Sequence, residues 1–217
     1  MHCLSDQGCV VVITYNGGSE ARNINANSYD TWQINNQTGR AISVSSDNPI
    51  VLSVGDTDTD VMIVPQDSQD FIGIASDLLG ISHSGSGNQQ VNEYRSDGNT
   101  YSYSVPAVPT YFGLSGHAGQ YNGYAAKLTS DVPFGAHSIA DGDGGSATPF
   151  LSVNLLSTKF VVPVTAQFLA FASFESGTVT IGSNTYSLAG SDANGVYRYR
   201  HGVVYAGTII TSSVPVW

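Results

Sequence analysis

The sequence predicts an all-β protein made of antiparallel β-sandwich units, immunoglobulin-like in size and strand count. Three observations carry this. Runs of β-branched and aromatic residues alternate along the chain with clusters of Gly, Asn, Asp and Ser, the pattern of short strands joined by tight turns. No segment keeps apolar residues at helical spacing for three turns. One phrase also occurs three times: Ser43-Val44-Ser45-Ser46-Asp47-Asn48-Pro49-Ile50, Lys127-Leu128-Thr129-Ser130-Asp131-Val132-Pro133-Phe134 and Ile209-Ile210-Thr211-Ser212-Ser213-Val214-Pro215-Val216. Pro49, Pro133 and Pro215 stand 84 and 82 residues apart, room for a complete small sandwich, so an internal repeat of that length is expected.

The division that follows is a partial β unit at 1–56, the back half of a repeat, then sandwich units at 57–140 and 141–217. Val10-Val11-Val12-Ile13-Thr14-Tyr15 is a strand, and Asn16-Gly17-Gly18 supplies the residues of a tight hairpin turn. Tyr29-Asp30-Thr31-Trp32-Gln33-Ile34 continues with partial alternation. The first phrase then follows, its proline opening a strand, where a missing N–H costs least. Val61-Met62-Ile63-Val64-Pro65 and Asp70-Phe71-Ile72-Gly73-Ile74-Ala75 return later as Phe160-Val161-Val162-Pro163-Val164 and Gln167-Phe168-Leu169-Ala170-Phe171-Ala172. This second recurrence is independent of the proline phrase. Leu78-Leu79-Gly80-Ile81 can form a helical turn, stopped by the Ser/Gly stretch after it. Strand character returns over 91–103, with Asp97-Gly98-Asn99 as a hairpin turn, before Pro106 and Pro109 impose an irregular segment. Ala140-Asp141-Gly142-Asp143-Gly144-Gly145-Ser146 reads as a loop or linker where the second unit ends. Seven strands are expected beyond it, at 150–164, 167–174, 178–181, 185–188, 196–200, 206–211 and 214–217. The segment from Val10 to Pro49 parallels that from Thr178 to Pro215: strand, Gly/Asn turn, aromatic strand, phrase.

Seven basic residues against seventeen acidic ones give a net charge of -10, and no Lys/Arg cluster is present to displace counterions from a phosphate backbone, which argues against nucleic acid as a partner. Few lysines also leave few charged guards on sheet edges, so pairing between copies is the expected way to cover them. No stretch reaches the 18 or so apolar residues of a membrane-spanning helix. The start, Met1-His2-Cys3-Leu4-Ser5-Asp6, lacks the basic and apolar parts of a secretory signal. A cytosolic start with an extracellular style of composition suits a virion component, or a fragment of a secreted adhesin. Cys3 and Cys9 are the only cysteines; their spacing admits a small terminal disulfide loop or two free thiols.

Catalytic patterns are sparse. His2, His83, His117, His137 and His201 are scattered without metal-ligand spacing. The only glutamates are Glu20, Glu93 and Glu175, and no Gly-x-Ser-x-Gly elbow occurs, so the expectation is a protein that is not an enzyme. Structural calcium is the one cofactor the spacing admits, at Asp56, Asp58 and Asp60 or at Asp141 and Asp143, where alternate carboxylates in a loop can surround a hard cation. Tyr94, Tyr101, Tyr103, Tyr111, Tyr121 and Tyr124 crowd the middle third; rigid and amphipathic, they are candidate interface residues, for protein contact before glycan.

The last segment, from Phe160-Val161-Val162-Pro163 through Thr178-Val179-Thr180-Ile181 and Tyr197-Arg198-Tyr199 to Gly207-Thr208-Ile209-Ile210-Thr211-Ser212-Ser213-Val214-Pro215-Val216, resembles the repeating module of the IgGFc-binding protein N-terminal region, found in mucin-like and bacterial surface proteins. Residues 39–54 share the resemblance in part. It implies an extracellular structural or adhesive role and brings no catalytic residue with it. The expected function is a non-enzymatic structural component of an extracellular or virion assembly: a phage capsid-decoration, fibre or tail protein, homo-oligomeric or bound to other structural proteins. A cell-surface adhesin fragment is the alternative, and a carbohydrate-binding or carbohydrate-active β-protein comes third.

Overall fold

The computed structural model describes residues 1–15, 18–31, 42–54, 62–64, 67–75, 78–83, 85–107, 110–113, 123–140 and 146–217. It is all-β, and every strand pairing within it is antiparallel.

The N-terminal strands are β1 (His2–Cys3), β2 (Cys9–Tyr15), β3 (Gly18–Ile24), β4 (Ile42–Ser46) and β5 (Ile50–Val51), in a sheet of order β3-β2-β4 and a pair β1-β5. The β-branched run of β2 takes the centre because its alternate residues Val11 and Ile13 are buried. A disulfide joins Cys3 to Cys9, settling the alternative the spacing left open, and both cysteines sit in the small core with Val11 and Ile24. Two short strands, β6 (Ser53–Val54) and β7 (Met62–Ile63), pair with each other on the way out.

The middle strands are β8 (Ser68–Ala75), β9 (Leu78–Ser82), β10 (Gln89–Arg95), β11 (Thr100–Val105), β12 (Thr110–Gly113), β13 (Tyr124–Ala140), β14 (Ser146–Pro149) and β15 (Leu151–Ser152). One layer runs β11-β10-β13-β8-β15; β9 pairs with β12, and β14 joins through the far half of β13. Long β13 therefore serves both layers. Its first half pairs with β10 and β8, its second with β9 and β14, and the register shifts between Thr129 and Phe134. Strands that pass from one layer to another through a bulge form the corners of such packings. Phe71, Leu79, Ile81, Val91, Leu128, Phe134 and Phe150 fill the space enclosed.

After a 3-10 turn at Val153–Leu155 come β16 (Ser157–Val161), β17 (Leu169–Ser173), β18 (Thr178–Ile181), β19 (Asn184–Ser187), β20 (Ala189–Ser191), β21 (Val196–His201) and β22 (Ile209–Val216). They form a four-stranded sheet, β16-β22-β18-β19, and a three-stranded one, β17-β21-β20. Val179, Ile181, Ile210 and Val216 from the first share one core with Phe171 from the second, which makes the pair a sandwich.

Several local expectations are corrected. Leu78-Leu79-Gly80-Ile81 is strand: Leu79 and Ile81 point into the core, while Gly80 gives the room in which the His137 ring lies. The second and third phrases are not turns. Each is an unbroken strand with a bulge, at which the serine three residues before the proline donates to a carbonyl of the neighbouring strand and accepts from the N–H two residues on. The two strands expected at 206–211 and 214–217 are one, β22, and Ala189–Ser191 is a strand of its own. Residues 146–149 pair with β13 and 151–152 with β8, which leaves the expected division at 140/141 as an expectation. The 97–99 hairpin turn is as expected, with Gly98 at φ 91°.

Candidate functional site

Strand β10 alternates in the usual way, yet the side chains it sends inward are Val91, Glu93 and Arg95, all at most 1 % exposed. Opposite charges two residues apart on a strand lie on one face, and here the guanidinium meets the carboxylate twice, Arg95 Nε to Glu93 Oε1 at 2.9 Å and Nη2 to Oε2 at 3.0 Å. Across the hairpin, Tyr103 Oη donates to Glu93 Oε2 at 2.5 Å. The Arg95 guanidinium also stacks 4.0 Å from the centre of the Tyr101 ring, with Tyr124 at 5.4 Å. Burial, followed by the hydrogen bond to and charge of Glu93, raises the Tyr103 pKa, Arg95 offsetting part of the rise. The phenol is a hydrogen-bond donor at any physiological pH.

This cluster holds a buried charge pair in a bidentate, stacked geometry, sealed from solvent, so its chemistry is positional. It fixes the β10–β11 hairpin against β13. Asn194, from the turn before β21, grips the same hairpin by donating to the Arg95 and Asn99 carbonyls at 2.8 and 3.0 Å.

A second polar feature lies where the middle and C-terminal strands meet. Arg198 and Arg200 project from one face of β21 beside Ile74, Gly123, Phe168 and Ala170 around a small pocket of about 30 Å³. Arg198 donates to the Gly123 carbonyl; burial and the neighbouring Arg200 charge lower its pKa. Arg200 stands 4.8 Å over the Phe168 ring.

Four of the six candidate tyrosines fall into these two neighbourhoods. Tyr101, Tyr103 and Tyr124 surround the Glu93–Arg95 pair. Tyr94 faces the other way, into the contact between middle and C-terminal strands, with Lys127 Nζ 5.4 Å from its ring. Tyr111 lies in β12, and Tyr121 lies outside the described residues. So do Asp56, Asp58, Asp60, Asp141 and Asp143. Among the described residues no group of three His, Cys, Asp or Glu side chains is close enough to hold a metal ion. The Glu93–Arg95 pair was not foreseen, although its signal was present: two opposite charges in phase with a core valine on a strand.

No protein-family model, curated protein or solved structure matches the chain.

Proposed function

We propose that the chain is a non-enzymatic structural component of an extracellular or virion assembly, of the decoration, fibre or tail kind, built by repeating one β unit. The observation that carries this reading is a coincidence of register. In the middle strands Val91 lies opposite Ser130, Thr129 opposite Asp70, and Phe134 opposite Ser68. In the C-terminal strands Val179 lies opposite Ser212, Thr211 opposite Lys159, and Val216 opposite Ser157. The strand order is the same, β11-β10-β13-β8 and β19-β18-β22-β16, and so is the bulge. Each proline-phrase serine donates to the carbonyl of the residue before the paired valine, Ser130 to Gln90 at 2.9 Å and Ser212 to Thr178 at 3.0 Å.

The N-terminal strands repeat part of it: Val11 lies opposite Ser46 and Cys3 opposite Ile50. Val10 N–H donates to Asp47 Oδ1 at 2.8 Å, as Thr178 N–H donates to Ser213 Oγ at 2.9 Å. Val11, Val91 and Val179 are each fully buried. On this reading the second unit runs through Ser152, where β15 still pairs with β8, and the third begins at Val153. The third unit has the four-plus-three division of a constant-type immunoglobulin domain, but its first strand pairs with its last, so the kinship is one of architecture. Serial β units whose polar interior serves packing suit a protein that presents surface and makes contacts.

The surface-adhesin reading is favoured by one feature, the Cys3–Cys9 bridge, which persists best in an oxidising compartment. Native mass measurement of complexes isolated from the source tests both. The proposal expects several copies of the chain within one large assembly; recovery as a free monomer that turns over a substrate would overturn it.

A further inference from the structure

The outer face of the β16–β22 sheet in the C-terminal unit is, we infer, a docking face for a second copy of this chain. The inference rests on the repeat reading above and follows one contact already present in the molecule. On the middle unit the outward residues of the equivalent strands are Ile72 and Ala125, both fully buried. What covers them is the second sheet of the next unit, through Ala172 and Val196 with Phe174 at the side. Ile72 lies opposite Lys127. In the C-terminal unit the position of Ile72 is taken by Val161 and that of Lys127 by Ile209, which lie opposite each other in register, while Gly207 stands at the position of Ala125.

These two side chains are 61 % and 54 % exposed. The apolar surface continues past the strand ends, where Val162 and Ala166 bond through their main chains to Gly207, Thr208 and Val204; Val164 and Tyr205 on that ribbon are 69 % and 71 % exposed. Exposed apolar side chains gathered on adjoining backbone segments are the material of an association site. The stacking that joins middle to C-terminal unit therefore stops at a face of the same kind, left bare. Continuing it by one step needs another β unit, and a second copy supplies one. Charge permits the approach: residues 160–174 and 202–217 contain no charged side chain, so chains of net charge -10 can meet there without bringing carboxylates together.

The test is light scattering behind size exclusion on the full chain across a concentration series, for the wild type, Val161→Thr/Ile209→Thr, and Val161→Lys. Threonine keeps β propensity at exposed positions, so circular dichroism and melting should match the wild type. The self-association constant should weaken by about tenfold or more in both variants and not in Val10→Thr, which alters an exposed valine on the N-terminal unit. A wild-type multimer unchanged by either variant overturns the docking face and leaves the proposed structural role standing. A wild type monomeric at every concentration overturns self-docking altogether, and the source-complex measurement then judges the role alone.

Discussion

Glu93 and Arg95 each occupy space that would otherwise hold an apolar side chain, and the proposed repeat offers the alternative. On that repeat the position of Glu93 falls on buried Ile181 and that of Tyr103 on Tyr186, stacked at 4.8 Å on Tyr199. A buried ion pair costs little when whole and much when halved. Glu93→Gln should therefore lower the unfolding free energy by about 3–5 kcal/mol, whereas Glu93→Ile with Arg95→Met should cost far less, as read by urea denaturation of the single variant and the double. Equal losses in both would refute that account. His137 makes stability depend on pH. Burial holds His137 below the ordinary imidazole value of 6.5, so the unfolded chain takes up its proton first as pH falls. This contribution to stability is complete above pH 6.5 and is lost as the pH drops towards the folded value, by at most about 1.4 kcal/mol per pH unit. His137→Asn should flatten the stability profile between pH 7 and pH 5; an unchanged slope would place the proton uptake elsewhere.

At the scale of the element, the S-x-x-P corner has an identifiable driving force. Its serine donates to a carbonyl of the neighbouring strand while standing in register with a buried valine. Ser130→Ala and Ser212→Ala should each destabilise by about 1 kcal/mol, and hydrogen exchange should rise first at Val132 and Val214, whose N–H groups face those hydroxyls at 3.4 Å. A Ser212→Ala protein with wild-type exchange there would show that proline alone holds the corner. The phrase was legible in the sequence because three copies share proline and serine; its form was not. A polar pair before proline reads as a turn, and only the cross-strand partners, set by tertiary pairing, turn it into a bulge. The β9 strand was misread for a similar reason: a short apolar run with glycine has no period of its own, and pairing with β12 and β13 decides it.

For the whole molecule, the strands expected from β-branched runs are mostly where the pattern put them, since alternation records which side chains face a dry interior. Contacts between units left no such trace. Ile72 and Val161 both stand on strands that pair with a bulged proline-phrase strand, yet one is buried and the other bare, a difference that depends on what packs against the outer face. Where a unit does follow, the junction is dry and bonded at its rim: Val196 is fully buried with Ile72, Ala125 and Ala172, and Trp217 Nε1 donates to the Pro149 carbonyl at 3.0 Å. Middle and C-terminal units should accordingly melt together in scanning calorimetry. Val196→Asp sets an unpaired carboxylate in that junction, at a cost on the order of 3 kcal/mol, but leaves both inner cores intact. The single transition should split into two, with Trp217 fluorescence following the earlier. A Val196→Asp protein that still melts in one step at the wild-type midpoint would mean the two units are stable independently of the face they share, and the stacking from which the docking face was inferred would lose its energetic basis.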